Sequence, residues 1–375
     1  MTINNEHKKL NVPNLRFKEF QGEWEKCKLG DYGKVVTGNT PPTKDIENYE
    51  NGTYLWASPA DLGTIKSITE TKTMLSAQGF SKTRTLPKGS VLVTCIGSTI
   101  GKAGMATKEM STNQQINSIV VNDNNDNEFV YYAIQSAFPR YLSSIAVQAV
   151  PIISKSAFEL LPNNRPYLQE QKKIGKFLSL LDERIATQNK IIDKLQSLIK
   201  GIAQKIVRSN KPNVRLSECL ECNSSTLQES DVCEHGTYPV YGANGIVGYL
   251  NNYNTEGEAV YIIKDGSGVG IVSYVTGKCS ATGTLNTLQA KEGYSLQYFY
   301  YLLKVFNFQP YKTGMAIPHI YFKDYGKAKV FCPSYIEQLR YARLLSAIDN
   351  KLSAEQHLLT NLSLQKQYLL RQMFI

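Results

Sequence analysis

The amino-acid sequence predicts an α+β protein in which two mixed α/β domains are separated by two long helices. Three observations support this class: an internal repeat, a heptad pattern of apolar residues in each copy of the repeat, and two intervening regions of short strand-like runs. The length of 375 residues suits two domains, and 42% hydrophobic residues are sufficient for packed cores. The expected organisation is an internal pseudo-twofold repeat of one plan.

The repeat is clearest at the end of each half, where residues 150–207 align with residues 317–374 without a gap. Both copies contain a Pro-x3-Glu-Gln motif, followed by an apolar residue and an aspartate. An ungapped match of this length indicates a duplicated scaffold. The aligned residues include Val150 to Ile153 with Ile317 to Ile320, Pro166 with Pro333, Glu170-Gln171 with Glu337-Gln338, Leu178-Ser179 with Leu345-Ser346, and Asp182 with Asp349.

Each copy continues into a long helical pattern in which apolar residues recur at alternating steps of three and four. Such a seam predicts a coiled coil, and the alternative is a pair of amphipathic helices buried in one core. About 38 helical residues would span about 57 Å. Ser334 and Glu337 have the spacing of a capping box at the start of the second helix. The first seam contains Ile174, Leu178, Leu181, Ile185, Ile192, Leu195, Ile199, Ile202 and Ile206; the second contains Tyr341, Leu345, Ile348, Leu352, Leu359, Leu362, Leu369 and Met373.

The regions that precede the helices are rich in Gly, Asn, Thr, Tyr and β-branched residues, which favours curved β-sheet with frequent turns. They share sparse anchors: Gly97 to Gly101 aligns with Gly266 to Gly270, and Asn117 aligns with Asn286. The scaffold is therefore duplicated while the loops differ. The predicted boundaries are an N-terminal segment 1–23, a first mixed domain 24–160, a helical spacer 161–211, a second mixed domain 212–330 and a C-terminal helix 331–375.

The glycine-rich motifs do not predict nucleotide hydrolysis. Gly97-x3-Gly101-Lys102 has three residues between its glycines where a P-loop needs four, and Ala103 stands where Ser or Thr is required. Two interpretations remain: tight turns within a sheet, or loops whose backbone N–H groups approach a DNA phosphate. No Asn-Pro-Pro-aromatic motif for adenine methylation is present, so the sequence predicts no catalytic role.

Charge and composition favour a polyanionic partner in the cytoplasm. The net charge is +10, which attracts nucleic acid, although many basic proteins bind none. No apolar run of about 18 residues predicts a membrane helix. Met1 to Leu10 lacks the apolar segment of a signal peptide.

The seven cysteines predict reduced thiols rather than a disulfide framework, because their number is odd and their spacing is irregular. Cys219-x-x-Cys222 with Cys233 and His235 has a composition that zinc can bind. The alternative is a set of unrelated thiols. The first half has no matching cluster, so we predict no metal site in the duplicated plan.

Taken together, these motifs resemble the specificity subunits of type I restriction-modification enzymes over nearly the whole chain. The resemblance begins at Asn14-Leu-Arg-Phe and Glu23-Trp24-x4-Leu29-Gly30-Asp31. It continues in Thr37 to Pro41 and in Tyr238-Pro-Val-Tyr-Gly-Ala-Asn-Gly245. The duplicated order of the Pro-x3-Glu-Gln motifs is its most specific part.

The resemblance implies two target-recognition domains and two antiparallel helices that act as a ruler. Each domain would recognise half of an interrupted site in the major groove of double-stranded DNA. Two modification subunits would bring S-adenosylmethionine and methylate adenines, and restriction subunits would add cleavage driven by ATP and Mg²⁺. This chain would itself hold no cofactor.

Candidate DNA contacts are polar or aromatic residues expected in loops near the shared glycines, since amides and cations recognise base edges and phosphates. In the first half they are Lys44, Trp56, Ser58, Ser98, Thr99, Lys102, Gln114 and Gln115; in the second they are Tyr241, Asn244, Lys264, Ser267, Thr282 and Asn286.

Two other functions remain open at this stage. A self-contained DNA methyltransferase or nuclease would act on DNA without partners. A coiled-coil adaptor that binds only protein would show no salt-dependent DNA binding.

Overall fold

The computed structural model of the chain describes residues 10–63, 65–145 and 151–375. The first part of the predicted segment 1–23, and Val150 of the repeat, lie outside the described residues. The chain divides into two compact units: unit 1 is Met1–Gln188 with Leu358–Ile375, and unit 2 is Asn189–His357. No helix in the described part of the chain is both long and apolar enough to cross a membrane.

Short strands and a few helices form the body of each unit, and two much longer helices follow the repeated motif. The strands are β1 (Glu25–Lys28), β2 (Gly33–Thr37), β3 (Tyr54–Ala57), β4 (Ser67–Ile68), β5 (Thr73–Leu75), β6 (Val91–Thr94), β7 (Ala103–Ala106), β8 (Ser111–Thr112), β9 (Ile116–Val121), β10 (Pro162–Arg165), β11 (Val214–Arg215), β12 (Leu220–Ser224), β13 (Tyr238–Gly242), β14 (Gly245–Leu250), β15 (Glu258–Ile263), β16 (Val272–Thr276), β17 (Ser280–Ala281), β18 (Leu285–Ala290) and β19 (Lys329–Val330). The helices are α1 (Ala77–Ser81), α2 (Asn127–Ile145), α3 (Lys155–Glu159), α4 (Leu168–Arg208), α5 (Leu216–Cys219), α6 (Leu296–Leu303), α7 (Phe322–Tyr325) and α8 (Tyr335–Gln372).

The strand pairing confirms that one scaffold occurs twice. The central sheet has the order β2-β9-β6-β7-β4 in unit 1 and β12-β18-β15-β16 in unit 2. Beside it, each unit has a three-stranded sheet, β5-β3-β8 or β14-β13-β17, that combines one antiparallel pair with one parallel pair. A two-stranded pair, β1-β10 or β11-β19, completes each copy. The predicted α+β class with an internal repeat is therefore confirmed.

One aromatic helix packs on the central sheet in each unit, and the two helices begin in the same way. In unit 1 the Asp126 carboxylate accepts a hydrogen bond from the Phe129 N–H at 2.9 Å, which caps the start of α2. In unit 2 the Ser295 hydroxyl accepts one from the Tyr298 N–H at 3.3 Å at the start of α6. The buried faces of both helices are rich in Phe and Tyr, and these rings form much of each core.

The glutamine of the duplicated Pro-x3-Glu-Gln motif joins each long helix to its unit. Gln171 accepts a hydrogen bond from the Asp126 N–H at 3.0 Å and donates to the Pro166 carbonyl at 2.9 Å. Gln338 makes the same two bonds in unit 2, to the Ser295 N–H and the Pro333 carbonyl, both at 2.9 Å. Both side chains are at least 98% buried. The motif repeats because this buried contact repeats.

We therefore expect Gln171→Ala to destabilise unit 1 by about 2–4 kcal/mol, because it leaves a buried N–H and a buried carbonyl without their partners. Gln338→Ala should do the same in unit 2. Thermal unfolding of the purified chain measures the effect. The matched control is Gln169→Ala, whose side chain is exposed on the same turn and whose loss should cost less than 0.5 kcal/mol. Equal melting temperatures for Gln171→Ala and the control would contradict this account.

The aspartate downstream of each motif has a repeated role. Asp182 accepts a hydrogen bond from the Tyr132 hydroxyl at 2.6 Å, and Asp349 accepts one from the Tyr301 hydroxyl at 3.4 Å. In unit 1 the Asp182 carboxylate also pairs with Lys366 at 2.6 Å. These contacts orient each long helix on the aromatic helix of its unit.

Within unit 1 the first turns of α4 and the last turns of α8 run antiparallel. Ile174 and Leu178 share a buried cluster with Leu369 and Met373. Asp182 lies further along α4 and pairs with Lys366, which lies before Leu369 and Met373 on α8. Elsewhere on the two helices six residues of the predicted seam are buried: Ile192, Ile199, Ile206, Leu345, Leu352 and Leu362. Ala203 and Ala342 are also buried, although they stand one position after the seam residues Ile202 and Tyr341.

The starts of the two long helices differ. At α8, Glu337 accepts hydrogen bonds from both the N–H and the hydroxyl of Ser334, so the carboxylate half of the predicted capping box is present. At α4 the equivalent Glu170 is 1% exposed and binds the Arg16 guanidinium at 2.7 and 2.8 Å. This ion pair explains why Arg16 belongs to the N-terminal motif.

Candidate nucleic-acid interface

The shared glycines form one tight turn in each unit. Gly97–Gly101 connects β6 to β7, and Gly266–Gly270 connects β15 to β16. The first and last glycine of each turn have φ between +88° and +94°, a backbone conformation that residues with a side chain rarely adopt. At Gly101 a Cβ would also lie 2.6 Å from the Phe138 ring. Glycine is required here by backbone conformation and by close packing.

Most N–H groups of these turns bond within the protein. The Gly97 N–H donates to the Pro151 carbonyl at 3.1 Å, and the Gly266 N–H donates to the Pro318 carbonyl at 3.0 Å. Gly101 and Gly270 donate back to Thr94 and Ile263. Within the described ranges, no acceptor bonds the N–H groups at the two tips, which belong to Ser98, Thr99, Ser267 and Gly268. Of the backbone N–H groups in these turns, those at the tips are therefore the ones available to a ligand.

Five of the predicted residues gather at this end of the unit 1 sheet. Ser98 and Lys102 are exposed on the glycine turn, and Thr99 is half-buried between them. The neighbouring loop between β8 and β9 carries Gln114 and Gln115, and the Gln115 carbonyl accepts from the Cys95 N–H at 2.7 Å beneath the turn. Hydroxyls, amides and one ammonium thus form a single polar surface, which we call the unit 1 turn surface.

The equivalent surface of unit 2, the unit 2 turn surface, contains fewer of the predicted residues. Ser267 is exposed on the turn, and the half-buried Lys264 precedes it. At the β13–β14 hairpin of the same unit, Asn244 is exposed, and the half-buried Tyr241 packs against the Tyr261 ring at 5.7 Å between ring centroids. Different side chains therefore stand on the same backbone scaffold in the two units.

Three predicted contacts are buried, and we correct their assignment. Trp56 is 9% exposed and donates its indole N–H to the Asn39 carbonyl at 3.1 Å. Thr282 is 1% exposed and bonds the Thr284 hydroxyl at 2.8 Å. Asn286 is 3% exposed and donates to the Tyr325 hydroxyl at 3.0 Å. These groups already have partners inside the fold, so they support the loops and offer nothing to a ligand.

Asn286 shows why a repeated residue need not be a contact residue. It accepts a hydrogen bond from Ser224, its neighbour on β12, and its equivalent Asn117 accepts one from Thr37, its neighbour on β2. The two remaining predictions in unit 1 lie on other loops. Lys44 is exposed after β2, and Ser58 is half-buried with its N–H and hydroxyl both on the Asp61 carboxylate.

The thiols near these surfaces have low reactivity. Burial raises the pKa of Cys95 to about 12 and that of Cys222 to about 11, with Lys264 opposing the shift at Cys222. Both thiols therefore stay protonated at neutral pH and are poor nucleophiles. Among the described residues, no three His, Cys, Asp or Glu side chains are grouped closely enough to hold a metal ion. The predicted zinc-like set is split, since Cys219 is buried in α5 and the exposed Cys233 forms an isolated antiparallel bridge with Tyr249.

Sequence comparison identifies the family to which this duplicated scaffold belongs. The profile of the type I restriction modification DNA specificity domain matches the chain twice, at residues 21–197 and 209–364. The chain belongs to this family. The two matches coincide with the two copies of the scaffold, each followed by its long helix.

Individual relatives are more distant. The chain is 30% identical over 182 residues to the type I restriction enzyme MjaIX specificity subunit of Methanocaldococcus jannaschii, a match that covers 46% of this chain and 42% of the relative. It is 28% identical over 186 residues to the HindI specificity subunit of Haemophilus influenzae, covering 47% and 40%. These matches span less than half of either relative. A putative specificity subunit of Mycoplasma pneumoniae is 26% identical over 285 residues, covering 68% of this chain and 75% of the relative.

A solved structure has the same fold over most of the chain. The S subunit of a type I restriction-modification system from M. genitalium superposes with a TM-score of 0.69 at 20% identity, covering 97% of this chain and 99% of that one. A second solved structure, from work on assembly of the type I restriction-modification system, superposes with a TM-score of 0.54 at 16% identity. At these identities the likeness concerns the fold.

The structure also adds residues that the sequence analysis did not select. Asp265 and His319 form a hydrogen-bonded pair beside the unit 2 turn. The sequence contains a signal that could have identified His319, because the repeat aligns it with Ile152, an apolar residue.

Proposed function

We propose that this chain is the DNA-specificity subunit of a type I restriction-modification enzyme and performs no chemistry itself. The observation that carries the proposal is the combination of one duplicated scaffold with two different turn surfaces. A shared scaffold holds two recognition surfaces in equivalent positions, and different side chains on them give each surface its own sequence preference. The net charge of +10 favours association with the phosphate backbone.

The contact set consists of the accessible groups. On the unit 1 turn surface, amides of Gln114 and Gln115 suit adenine edges, and Lys102 suits a phosphate or guanine. On the unit 2 turn surface Ser267 and Lys264 have equivalent roles. Lys44 and Ser58 lie on other loops of unit 1, and Tyr241 and Asn244 lie at the β13–β14 hairpin of unit 2, where they can contact DNA phosphates.

Two modification subunits and restriction subunits complete the proposed assembly. The modification subunits would hold S-adenosylmethionine, and the restriction subunits would use ATP and Mg²⁺. The long helices carry large exposed apolar side chains, which commonly mark protein contacts. We assign contacts with the modification subunits to these side chains, which are Phe177, Leu180, Leu364 and Tyr368 in unit 1 and Ile191, Leu198 and Leu344 in unit 2. The cytoplasmic location predicted from composition is part of the same proposal.

Methylome sequencing of cells that express this chain with its modification subunits tests the function. We expect methylated adenines in one interrupted motif with two defined half-sites, and no methylation when either component is omitted. In vitro, binding of the complex to that motif should weaken steeply as salt rises. Methylation or cleavage by the chain alone would favour a self-contained enzyme. A complex without salt-dependent DNA binding would favour a protein-binding adaptor.

A further inference from the structure

At the position beside each glycine turn, the two units have the same backbone geometry but opposite side-chain chemistry. In unit 1, Ile96 and Ile152 form an isolated antiparallel bridge; in unit 2, Asp265 and His319 form the same bridge. The flanking hydrogen bonds also match. Gly97 and Gly266 donate to the prolines that precede Ile152 and His319, at 3.1 and 3.0 Å. The two sites are structurally equivalent, and only their side chains differ.

The unit 2 pair has a defined hydrogen-bonding state. His319 Nδ1 lies 2.5 Å from Asp265 Oδ1, and a carboxylate only accepts, so Nδ1 carries the proton. In the neutral ring the other nitrogen, Nε2, is then an acceptor. The two side chains are 35% and 33% exposed, so both remain accessible to a ligand. The ring of Tyr321 lies nearly parallel to that of His319, with 6.5 Å between the ring centroids.

The surrounding loop is closed by backbone hydrogen bonds and carries exposed apolar residues. Thr313 and His319 exchange two backbone hydrogen bonds of 2.9 and 2.7 Å, which close the loop between them. Met315 within it is fully exposed, and Ile317 is 59% exposed. A polar pair at the base of a closed, exposed apolar loop is suited to the floor of the major groove of DNA. The base edges there present both hydrogen-bonding groups and thymine methyl groups.

We propose, on the basis of the function assigned above, that this paired position is a specificity determinant in each half. Asp265 and His319 contact a base that offers an exocyclic amino group, which adenine and cytosine present in the major groove. Ile96 and the 54%-exposed Ile152 contact a thymine methyl group. Scaffold residues are the same in both units, as Asn117 and Asn286 show, whereas this exposed pair changes from apolar to polar on an unchanged backbone.

Exchange of the pairs tests the inference. Asp265→Ile with His319→Ile is expected to change base preference about tenfold or more at one position of the unit 2 half-site, away from an amino-bearing base and toward thymine. Ile96→Asp with Ile152→His should produce the reverse change in the unit 1 half-site. Methylome sequencing of cells that carry the modification subunits measures both. Glu234→Ile with His235→Ile, an exposed acid and histidine elsewhere in unit 2, is the matched control and should leave the motif unchanged.

The outcomes separate this inference from the proposed function. An unaltered motif in active exchange variants overturns the inference and leaves the function standing. Absence of any interrupted motif in the unsubstituted complex overturns the function itself. If the exchange variant does not assemble, His319→Gln decides the matter, since it keeps a hydrogen-bonding side chain of similar length. We expect this variant to shift preference at the same position; retention of the original preference would overturn the inference.

Discussion

A chain whose residues 24–160 are replaced by the equivalent domain of a relative is expected to acquire a new first half-site and to keep its second half-site. The reason is that the residues that join the domain to its long helix differ from those of the turn surface. On the long helix, Gln171 binds the N–H of Asp126 just before α2, and Asp182 binds the Tyr132 hydroxyl on α2. A donor domain can supply both groups. The side chains of the turn surface would be those of the donor.

Methylome mapping of the original and hybrid complexes measures this effect. The donor should keep a tyrosine at the position of Tyr132, so that Asp182 retains its partner. The reciprocal replacement of residues 212–330 is the matched control, and it should change only the second half-site. A hybrid that alters both half-sites together would contradict independent recognition by the two domains.

Insertion of seven residues into each long helix, after Leu195 and after Leu362, is expected to lengthen the unspecified spacer between unchanged half-sites. Each helix begins in one compact unit and ends in the other, and seven residues restore the phase of the apolar seam. The insertion adds about 10 Å of helix, and B-DNA rises about 3.4 Å per base pair. The upper limit is therefore about three additional base pairs.

The same methylome measurement reports the spacer directly. A four-residue insertion at the same two positions is the matched control, because it adds helix but moves buried residues such as Leu362 out of phase with the seam. We expect this control to assemble poorly and to methylate little. An active seven-residue variant that keeps the original spacer would show that the helices do not set the distance.

The duplicated plan was predictable because it depends on periodicity and local chemistry. Heptad spacing predicts long helices, and glycines with matching positions predict equivalent turns. The Pro-x3-Glu-Gln motif also marked the repeat. Its physical role was not predictable, because the partners of Gln171 include the N–H of Asp126, which lies 45 residues earlier in the chain.

The exposure of the predicted contact residues could not be read from the sequence, for a related reason. A polar residue near a glycine turn can face solvent or the interior, and composition does not distinguish the two. Trp56 and Asn286 have partners inside the fold, whereas Ser98 and Lys102 are exposed on it. Burial depends on which strands pair, and pairing between distant strands is a tertiary property.

By itself, the sequence determined that this protein is a duplicated α+β chain with two long helices, and the residues of the repeat carried its family resemblance. Those features follow from patterns that each segment contains. The tertiary structure decided which side chains form the turn surfaces. It also paired Asp265 with His319 across 54 positions of the chain, at the place where the other unit pairs two isoleucines. Sequence separation does not encode this proximity; the backbone hydrogen bonds between the glycine turn and the proline segment impose it.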